Sequence, residues 1–198
     1  RKMGSVGKAV PGVTIKIDEM VFDYEERARR DGEGEVLVYG DNVMQGYLDN
    51  PDATVEAFAH DWFHMGDTGY WKEIDGRRFY YLLGRSKEII IRGGINISPL
   101  AVEKAVLHKF PDLSFCYAAA FPSDRMGEEI GLVVDGPDTA IQTLQIAIRD
   151  GRIAGLTDYE QPAAAINLSK EELPMTSTGK VQRMEIKRLF GDRFSFAA

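Results

Sequence analysis

The chain contains little cysteine and little histidine, and it has no long apolar run. Its 198 residues include one cysteine and three histidines. A single cysteine excludes an intramolecular disulfide framework and a zinc site built on several cysteines. No apolar segment approaches the roughly 20 residues that a membrane-spanning helix needs. The sequence is therefore unlike that of a disulfide-stapled domain or a protein with helical membrane spans.

Positive charge is also scarce. Lys and Arg number 24 against 31 Asp and Glu, which gives a formal net charge of −7. The chain thus lacks the basic footprint of a nucleic-acid-binding protein, and it has no charge that would attract it to an anionic membrane. The first residues are not followed by the apolar core of a signal peptide. We therefore expect a cytoplasmic protein without a nucleic-acid partner.

The cysteine and the histidines do not form a reactive or metal-binding pattern. Cys116 lies in the apolar run 114–121, which favours a buried structural thiol over a nucleophile. His60, His64 and His108 do not have metal-ligand spacing with that cysteine. We expect His64 to be a packed or surface side chain and predict no metal site in the chain.

The first part of the chain is predicted to be rich in β-structure. Residues 13–17 alternate apolar and polar side chains, and residues 35–39 form a second strand-like run. The charged segment 24–34 between them is interpreted as a solvated loop or a short exposed helix. A short helix is predicted over residues 51–58, and Asp75-Gly76 predicts a hairpin between two aromatic-rich strands.

The second part is predicted to mix helices and strands, with a joint between the two parts near residues 85–88. Ser98-Pro99 is typical of a helix start, and this helix is expected to run to about residue 109. The other elements follow the same periodicity arguments. They are strands at 89–91, 113–121, 131–134 and 163–168, and helices at 140–148 and 181–190. The resulting order is β-α-β-β-α-β-α, so the fold class is α+β with two units.

Two polar segments in the first part could bind a ligand. Asp67 stands between two glycines in segment 64–69, where a carboxylate could accept hydrogen bonds from the vicinal hydroxyls of a ribose. A simple turn is the alternative interpretation of that spacing. Segment 84–87 offers Arg85, whose guanidinium suits phosphate or sugar oxygens, although the segment could equally be an interdomain linker.

Two further segments lie in the second part. Gly93 and Gly94 in segment 92–97 could let the backbone pass close to a ligand, or could form a turn only. Segment 174–180 places Lys180 on a loop of small hydroxyl residues, but it lacks the first glycine of a phosphate-binding loop. A solvated surface lysine is the alternative. The basic residues after it are predicted to form a solvated helix face; they are Arg183, Lys187, Arg188 and Arg193.

The order and context of these segments together resemble one enzyme family. The chain is similar to the C-terminal portion of adenylate-forming enzymes, which include acyl-CoA synthetases, peptide-synthetase adenylation domains and firefly luciferases. The similarity covers nearly the whole chain. The segments that carry it are 4–12, 34–36, 42–47, 61–67, 84–88, 92–97 and 178–180.

The resemblance implies an activity and a role for each candidate residue. The family forms an acyl-adenylate from a carboxylic acid and ATP, and most members then transfer the acyl group to a thiol, commonly that of coenzyme A. Asp67 would accept hydrogen bonds from the ribose, and Arg85 would contact the ribose or phosphate side of ATP or AMP. Lys180 would be the catalytic residue of adenylation, bridging the carboxylate and the α-phosphate. Three residues would serve the movement between half-reactions and the second step: Lys87 as the hinge, and Gly93 and Gly94 at the pantetheine tunnel.

The resemblance also implies a domain organisation. Residues 1–86 would be the barrel-like β-rich end of a large N-terminal domain, and residues 87–198 the mobile C-terminal domain, a short sheet flanked by helices. The family's phosphate loop and acid pocket have no counterpart in this chain. We therefore expect a fragment that is inactive alone and that needs the missing N-terminal domain, with ATP, Mg²⁺ and coenzyme A as reaction partners of the full-length enzyme.

The chain departs from the family's usual residues at two positions, and two alternatives to the CoA-ligase function stay open. Met65 replaces the usual threonine before Gly-Asp, and Ala101 stands where glutamate is common. Segments 86–88 and 93–96 favour a CoA ligase over the alternative of an acyl-AMP ligase or adenylation domain that loads a carrier protein. The alternative from another class is a stand-alone, non-catalytic nucleotide-binding or docking module. A related hypothesis makes Lys180 a control point, since acylation would remove its charge.

Overall fold

The computed structural model describes residues 4–19 and 32–194 and divides the chain into two compact units, Arg1–Lys87 and Glu88–Ala198. The predicted solvated segment 24–34 lies outside the described residues except for its last three positions. Each unit has its own sheet, and the fold class is α+β.

The first unit is one antiparallel sheet with a short helix. Its elements are β1 (Val13–Asp18), β2 (Gly34–Gly40), α1 (Pro51–Ala57), β3 (Phe58–Ala59), β4 (Trp62–Ile74) and β5 (Arg77–Arg85). Strand β4 is long enough to pair with β2, β3 and β5, and β1 extends the sheet beyond β2. The alternating side chains of β1 place one row towards the sheet's packed face and the other towards solvent.

The structure confirms the hairpin that the sequence predicts at Asp75-Gly76, between β4 and β5. Asp75 and Gly76 form the two-residue connection, with φ angles of 54° and 67°. Positive φ at both positions matches the right-handed twist of the flanking strands. The hairpin pairs the end of β4 with the start of β5, and at the other end of the ladder Asp67 faces Arg85, the last residue of β5.

The second unit is a mixed sheet with helices on both faces. Its strands are β6 (Ile90–Arg92), β7 (Ile95–Ile97), β8 (Phe115–Ser123), β9 (Gly127–Asp135) and β10 (Ala164–Asn167). Its helices are α2 (Pro99–Lys109), α3 (Asp138–Arg149) and α4 (Arg183–Phe190). Strand β10 runs parallel to β9, and the other pairs are antiparallel. Short 3-10 turns are Ser86–Glu88, Asp158–Glu160, Lys170–Glu172 and Gly191–Arg193.

The core of the second unit has two layers because β8 and β9 point alternate side chains to opposite faces. Ile130, Leu132 and Val134 pack with α2 and α3, whereas Val133 packs on the other face with Ile186 of α4. The layer beneath α2 and α3 also buries Cys116, which is 3% exposed. Burial raises the pKa of the Cys116 thiol far above its ordinary value, and this agrees with the predicted structural role.

Helix α2 begins and ends as its sequence predicts. The Ser98 side chain accepts a hydrogen bond from the Ala101 amide, and Pro99 occupies the first helical position. The predicted order of the second unit omitted β7. This strand has only three residues and follows directly after two glycines, so it lacks a readable alternation. Across the described ranges, no helix is both long and apolar enough to cross a bilayer.

Candidate functional site

The first unit brings Asp67, in the first half of β4, together with Arg85, the last residue of β5. Arg85 Nε lies 3.2 Å from Asp67 Oδ1, and Arg85 Nη1 donates to the carbonyl of Met65 at 2.9 Å. The chain can turn there because Gly66 has a φ of 67°. The arginine is thus held by one charged and one neutral acceptor on the opposite strand.

The two side chains differ in exposure. The Arg85 side chain is 60% exposed and that of Asp67 is 19% exposed. Burial raises the pKa of the Asp67 carboxyl above its ordinary value, and the neighbouring guanidinium of Arg85 opposes this effect. The arrangement therefore holds a partly desolvated carboxylate beside an accessible guanidinium, a pair that can accept from hydroxyls and donate to an anion.

The backbone next to this pair is irregular. The register of β4 and β5 shifts between Thr68, which pairs with Gly84, and Gly69, which pairs with Leu82. Thr68 Oγ1 lies 3.2 Å from Ser86 Oγ. Such a bulge re-aims the side chains that follow it. Lys87 comes next, and its Nζ lies 3.7 Å from a carboxylate oxygen of Glu56. Both partners are highly exposed, so this ion pair adds little stability.

A pair that sequence reasoning missed lies on the neighbouring strand. His64 Nδ1 lies 2.9 Å from Glu35 Oε2, and Glu35 is buried. The contact joins β2 to the beginning of β4, three residues before Asp67. His64 was expected to be packed or at the surface, and its side chain is partly buried. Nothing in the local sequence pattern signals this contact between two strands.

In the second unit, Gly93 and Gly94 form the turn between β6 and β7. Their φ angles are 58° and 80°, which only glycine adopts readily. The Gly93 amide donates to the Met126 carbonyl at 2.8 Å, and a Cβ on Gly93 would lie 2.8 Å from Met126 Cε. Gly94 has open space where its Cβ would be. Gly93 is therefore closely packed, whereas Gly94 has room beside its Cα.

Arg92, the residue before the Gly93-Gly94 turn, joins this turn to other parts of the second unit. Arg92 Nε lies 2.6 Å from Glu129 Oε2, and Arg92 Nη1 donates to the carbonyls of Tyr159 and Gln161 at 2.8 and 2.9 Å. The arginine side chain is 12% exposed. Sequence reasoning gave Arg92 no role, because its partners lie more than thirty residues away.

Lys180 lies on an exposed loop that closes on itself. The Thr176 amide donates to the Lys180 carbonyl at 2.8 Å, and the Lys180 amide donates to Thr176 Oγ1 at 3.0 Å. Thr176 Oγ1 also lies 2.9 Å from Thr178 Oγ1, and Gly179 turns the chain with a φ of 76°. The lysine backbone is therefore fixed while its side chain extends into solvent.

The predicted solvated helix face after this loop is wrong for Arg183, whereas Lys187 is partly exposed and ion-paired. The Arg183 side chain is 16% exposed and pairs with Glu88 and Glu103, and Lys187 Nζ lies 2.8 Å from Glu128 Oε1. Arg188 does fit the prediction, because it is exposed and pairs within its own helix. Clustered basic residues in a sequence do not reveal carboxylates that folding brings to them.

The candidate residues thus fall into two groups. Asp67, Arg85 and Lys87 belong to the first unit, and the second unit holds the paired glycines and Lys180. Within the described ranges, no group of three or more His, Cys, Asp or Glu side chains could hold a metal ion.

Comparison with curated proteins gives matches along almost the whole chain. A probable CoA ligase from Humulus lupulus is 38% identical over 99% of this chain and 35% of its own length. The oxalate–CoA ligase of Arabidopsis thaliana is 36% identical over 96% of this chain and 35% of its own length. The chain therefore spans about a third of the length of these relatives. No family model matches it.

Solved structures give the same result at the level of the fold. ATP-bound MatB from Rhodopseudomonas palustris matches 97% of this chain and 37% of its own, with a TM-score of 0.73 and 28% identity. The o-succinylbenzoate CoA synthetase MenE from Bacillus subtilis, in complex with the acyl-adenylate OSB-AMP, matches 94% of this chain and 36% of its own. Its TM-score is 0.75 and its sequence identity is 27%.

Proposed function

Since the chain belongs to the adenylate-forming superfamily of acyl-CoA synthetase-like proteins, we propose that it is the C-terminal portion of an acid–thiol ligase. The parent enzyme would activate a carboxylic acid with ATP and transfer the acyl group to coenzyme A. The observation that carries the proposal is the presence of Asp67 beside Arg85, together with a solvent-facing Lys180 on a closed loop.

The Asp67–Arg85 pair would hold the nucleotide. A partly buried carboxylate accepts two hydroxyl hydrogen bonds well, because ribose donors replace the water that burial has removed. The exposed fork of Arg85 would then donate to the ribose or phosphate oxygens. The Arg85 contacts to Asp67 and the Met65 carbonyl support this role, since they orient the fork before the ligand arrives.

Lys180 would serve the adenylation step. A carboxylate oxygen attacks the α-phosphorus of ATP, a P–O bond forms, and the bond to the bridging oxygen breaks as pyrophosphate leaves. Two anions must meet in this reaction, and a lysine ammonium between them offsets their repulsion and stabilises the developing charge. The closed backbone of the Lys180 loop supports this assignment because a fixed Cα limits where Nζ can reach.

The remaining residues would serve the second half-reaction. Residues 1–86 would be the barrel-like β-rich end of the N-terminal domain and residues 87–198 the mobile C-terminal domain, with Lys87 as the hinge. The boundary between the compact units next to Lys87 supports this division. Gly93 and Gly94 would border the pantetheine tunnel, and the open side of Gly94 is suited to the close approach of a slender ligand.

Magnesium is expected to accompany ATP in the parent enzyme. The described residues offer no cluster that fits a metal ion, so no step in this chain is assigned to it. A cytoplasmic location likewise stays a prediction.

The first test is activity with and without the sequence that this chain lacks. The longer polypeptide should catalyse acid-dependent ATP–pyrophosphate exchange and release an acyl-CoA, whereas the purified 198-residue chain should do neither. Clear exchange by the short chain alone would refute the proposal. Product release that needs a phosphopantetheine carrier protein instead of coenzyme A would favour an adenylation domain. Nucleotide binding by a native protein of this short length, without turnover, would favour a non-catalytic module.

A further inference from the structure

Arg183 is the first residue of α4 and lies three positions after Lys180. Its guanidinium uses all of its nitrogen atoms. Nε and Nη2 donate to Glu103 Oε1 at 3.1 and 2.9 Å, Nη2 also donates to Glu103 Oε2 at 2.9 Å, and Nη1 donates to Glu88 Oε2 at 3.0 Å. One side chain therefore joins α4 to helix α2 and to the segment before β6.

The two acceptors are themselves fixed in place. Glu103 is 7% exposed, and its Oε1 also accepts from the Ala118 amide of β8 at 2.8 Å. Glu88 is the first residue of the second unit and follows Lys87 directly in the chain. Through Arg183, the start of α4 is tied to the sheet, to α2 and to the residue where the second unit begins.

The loop that carries Lys180 is continuous with this anchor. The Gln182 amide donates to the Pro174 carbonyl at 2.9 Å, which closes the base of the loop immediately before Arg183. Met175 and Val181 pair across the base and pack against the cluster that includes Ile186. The loop thus has an apolar base at Met175 and Val181 and a neck closed by the hydrogen bond from Gln182 to Pro174. Its anchor, Arg183, comes directly after this neck in the chain.

A second tether lies one turn further along α4. Lys187 Nζ contacts Glu128 Oε1 at 2.8 Å, and Glu128 Oε2 accepts from the Ile91 amide of β6 at 2.8 Å. Helix α4 is therefore held by ion pairs at two successive turns. Only the Arg183 contact lies at the end that leads into the Lys180 loop.

We propose that Arg183 is a positioning residue that fixes the Lys180 loop to the second unit through Glu88 and Glu103. The planar fork of an arginine can satisfy two carboxylates at once, whereas a lysine is a point charge that can approach only part of this set. Its catalytic consequence rests on the proposed function. When the second unit turns at Lys87, the loop would move with it as a rigid body, so that Nζ arrives at a defined place.

The positioning is tested on the 198-residue chain by hydrogen–deuterium exchange of the loop amides at residues 176, 179, 180 and 182. Arg183→Lys should speed exchange at these amides about tenfold, because the loop neck opens more often when its anchor is weakened. Arg188→Lys is the matched control, since Arg188 lies on the same helix and its ion pair in the described part of the chain is with Glu185 of that helix. Loop exchange equal to that of the wild type in Arg183→Lys would overturn the proposal.

A second variant covers the possibility that Arg183→Lys does not fold. Glu88→Gln keeps the shape of the acceptor and leaves Glu103 to hold the guanidinium. It should speed exchange at the same amides by about threefold, with far-UV circular dichroism like that of the wild type. Glu88→Gln with no change at the loop would overturn the link between the loop and the first residue of the unit.

The catalytic consequence is tested in the longer enzyme by separating the half-reactions. Arg183→Lys should lower kcat of adenylation by up to about 10²-fold, because a small misplacement of a reacting group is costly. Thioester formation from supplied acyl-adenylate should change little, whereas a merely structural defect would lower both. If Lys180→Ala leaves adenylation intact, the proposed function fails while the exchange result still stands. If loop exchange is unchanged, the positioning role fails on its own.

Discussion

The contact between Arg183 and Glu103 gives the sharpest test of what stabilises the second unit. We consider a double-mutant cycle built from Arg183→Met and Glu103→Met in the 198-residue chain. Both side chains are largely buried, at 16% and 9% exposed. Each single change leaves the other partner in the interior with part of its hydrogen bonding lost.

The magnitude follows from the contacts that each variant loses. Arg183→Met leaves the Glu103 carboxylate with the hydrogen bond from the Ala118 amide, and removing one partner of a buried pair costs about 3–5 kcal/mol. Glu103→Met leaves Glu88 as the carboxylate partner of Arg183 and removes the acceptor of the Ala118 amide, so we expect a loss of about 3 kcal/mol. The double variant removes both charges, and its loss should fall about 2–3 kcal/mol short of the sum of the two.

Denaturant unfolding followed by two signals measures these losses. Helices α2, α3 and α4 all lie in the second unit, so far-UV circular dichroism reports mainly on its unfolding. Both tryptophans, Trp62 and Trp71, lie in the first unit, so tryptophan fluorescence serves as the internal control. The circular dichroism transition should move to lower denaturant concentration in each single variant.

The cycle has a clear contradicting outcome. If the two single losses add within about 0.5 kcal/mol in the double variant, the side chains do not act as a coupled pair. A loss of less than about 1 kcal/mol of unfolding free energy in each single variant would be typical of an exposed ion pair. Either result would refute the reasoning from burial and hydrogen bonding.

Three further predictions concern the candidate residues. Burial raises the pKa of the Asp67 carboxyl above its ordinary value of 3.8, so the folded state holds the carboxyl proton more tightly than the unfolded state does. Ionisation of Asp67 therefore lowers the stability of the fold as the pH rises. Asp67→Asn should therefore unfold at an equal or higher urea concentration than the wild type at neutral pH, judged by tryptophan fluorescence, and the advantage should shrink as the pH falls towards 3.8. Gly94→Ala should cost the second unit about 1–2 kcal/mol, because a side chain is strained at its φ of 80°. Gly93→Ala should cost more than Gly94→Ala in the same urea titration, since Met126 must also move away from the new Cβ; equal costs would contradict this packing argument.

Local sequence signals were sufficient for much of the fold. The Asp75-Gly76 turn, the Ser98-Pro99 helix start and the alternation in β1 depend on neighbours a few residues apart, and the structure has each of them. Such features are set by backbone sterics and by which face meets the core, so a single sequence carries them.

Contacts across long stretches of chain could not be predicted. Arg183 meets Glu103 and Glu88 across 80 and 95 residues, and Arg92 reaches Tyr159 across 67 residues. No local periodicity marks these carboxylates and carbonyls as partners. The pattern therefore favoured a solvated basic face, whereas folding buries one of its arginines in an ion-pair network. The resemblance placed Asp67 and Arg85 at the same nucleotide, but no local pattern predicted their direct contact, because it depends on the register of the β4–β5 hairpin.

The most direct test of the proposed function is the effect of Lys180→Ala on the two half-reactions of the longer enzyme, with Lys170→Ala as the control on an exposed lysine of the same unit. We predict that the rate of adenylation, measured as pyrophosphate release, falls about 10²–10³-fold in Lys180→Ala. We expect thioester formation from supplied acyl-adenylate to stay near the wild-type rate, and Lys170→Ala to change neither step. Equal loss of both half-reactions, or adenylation that survives without Lys180, would contradict the role assigned to this lysine.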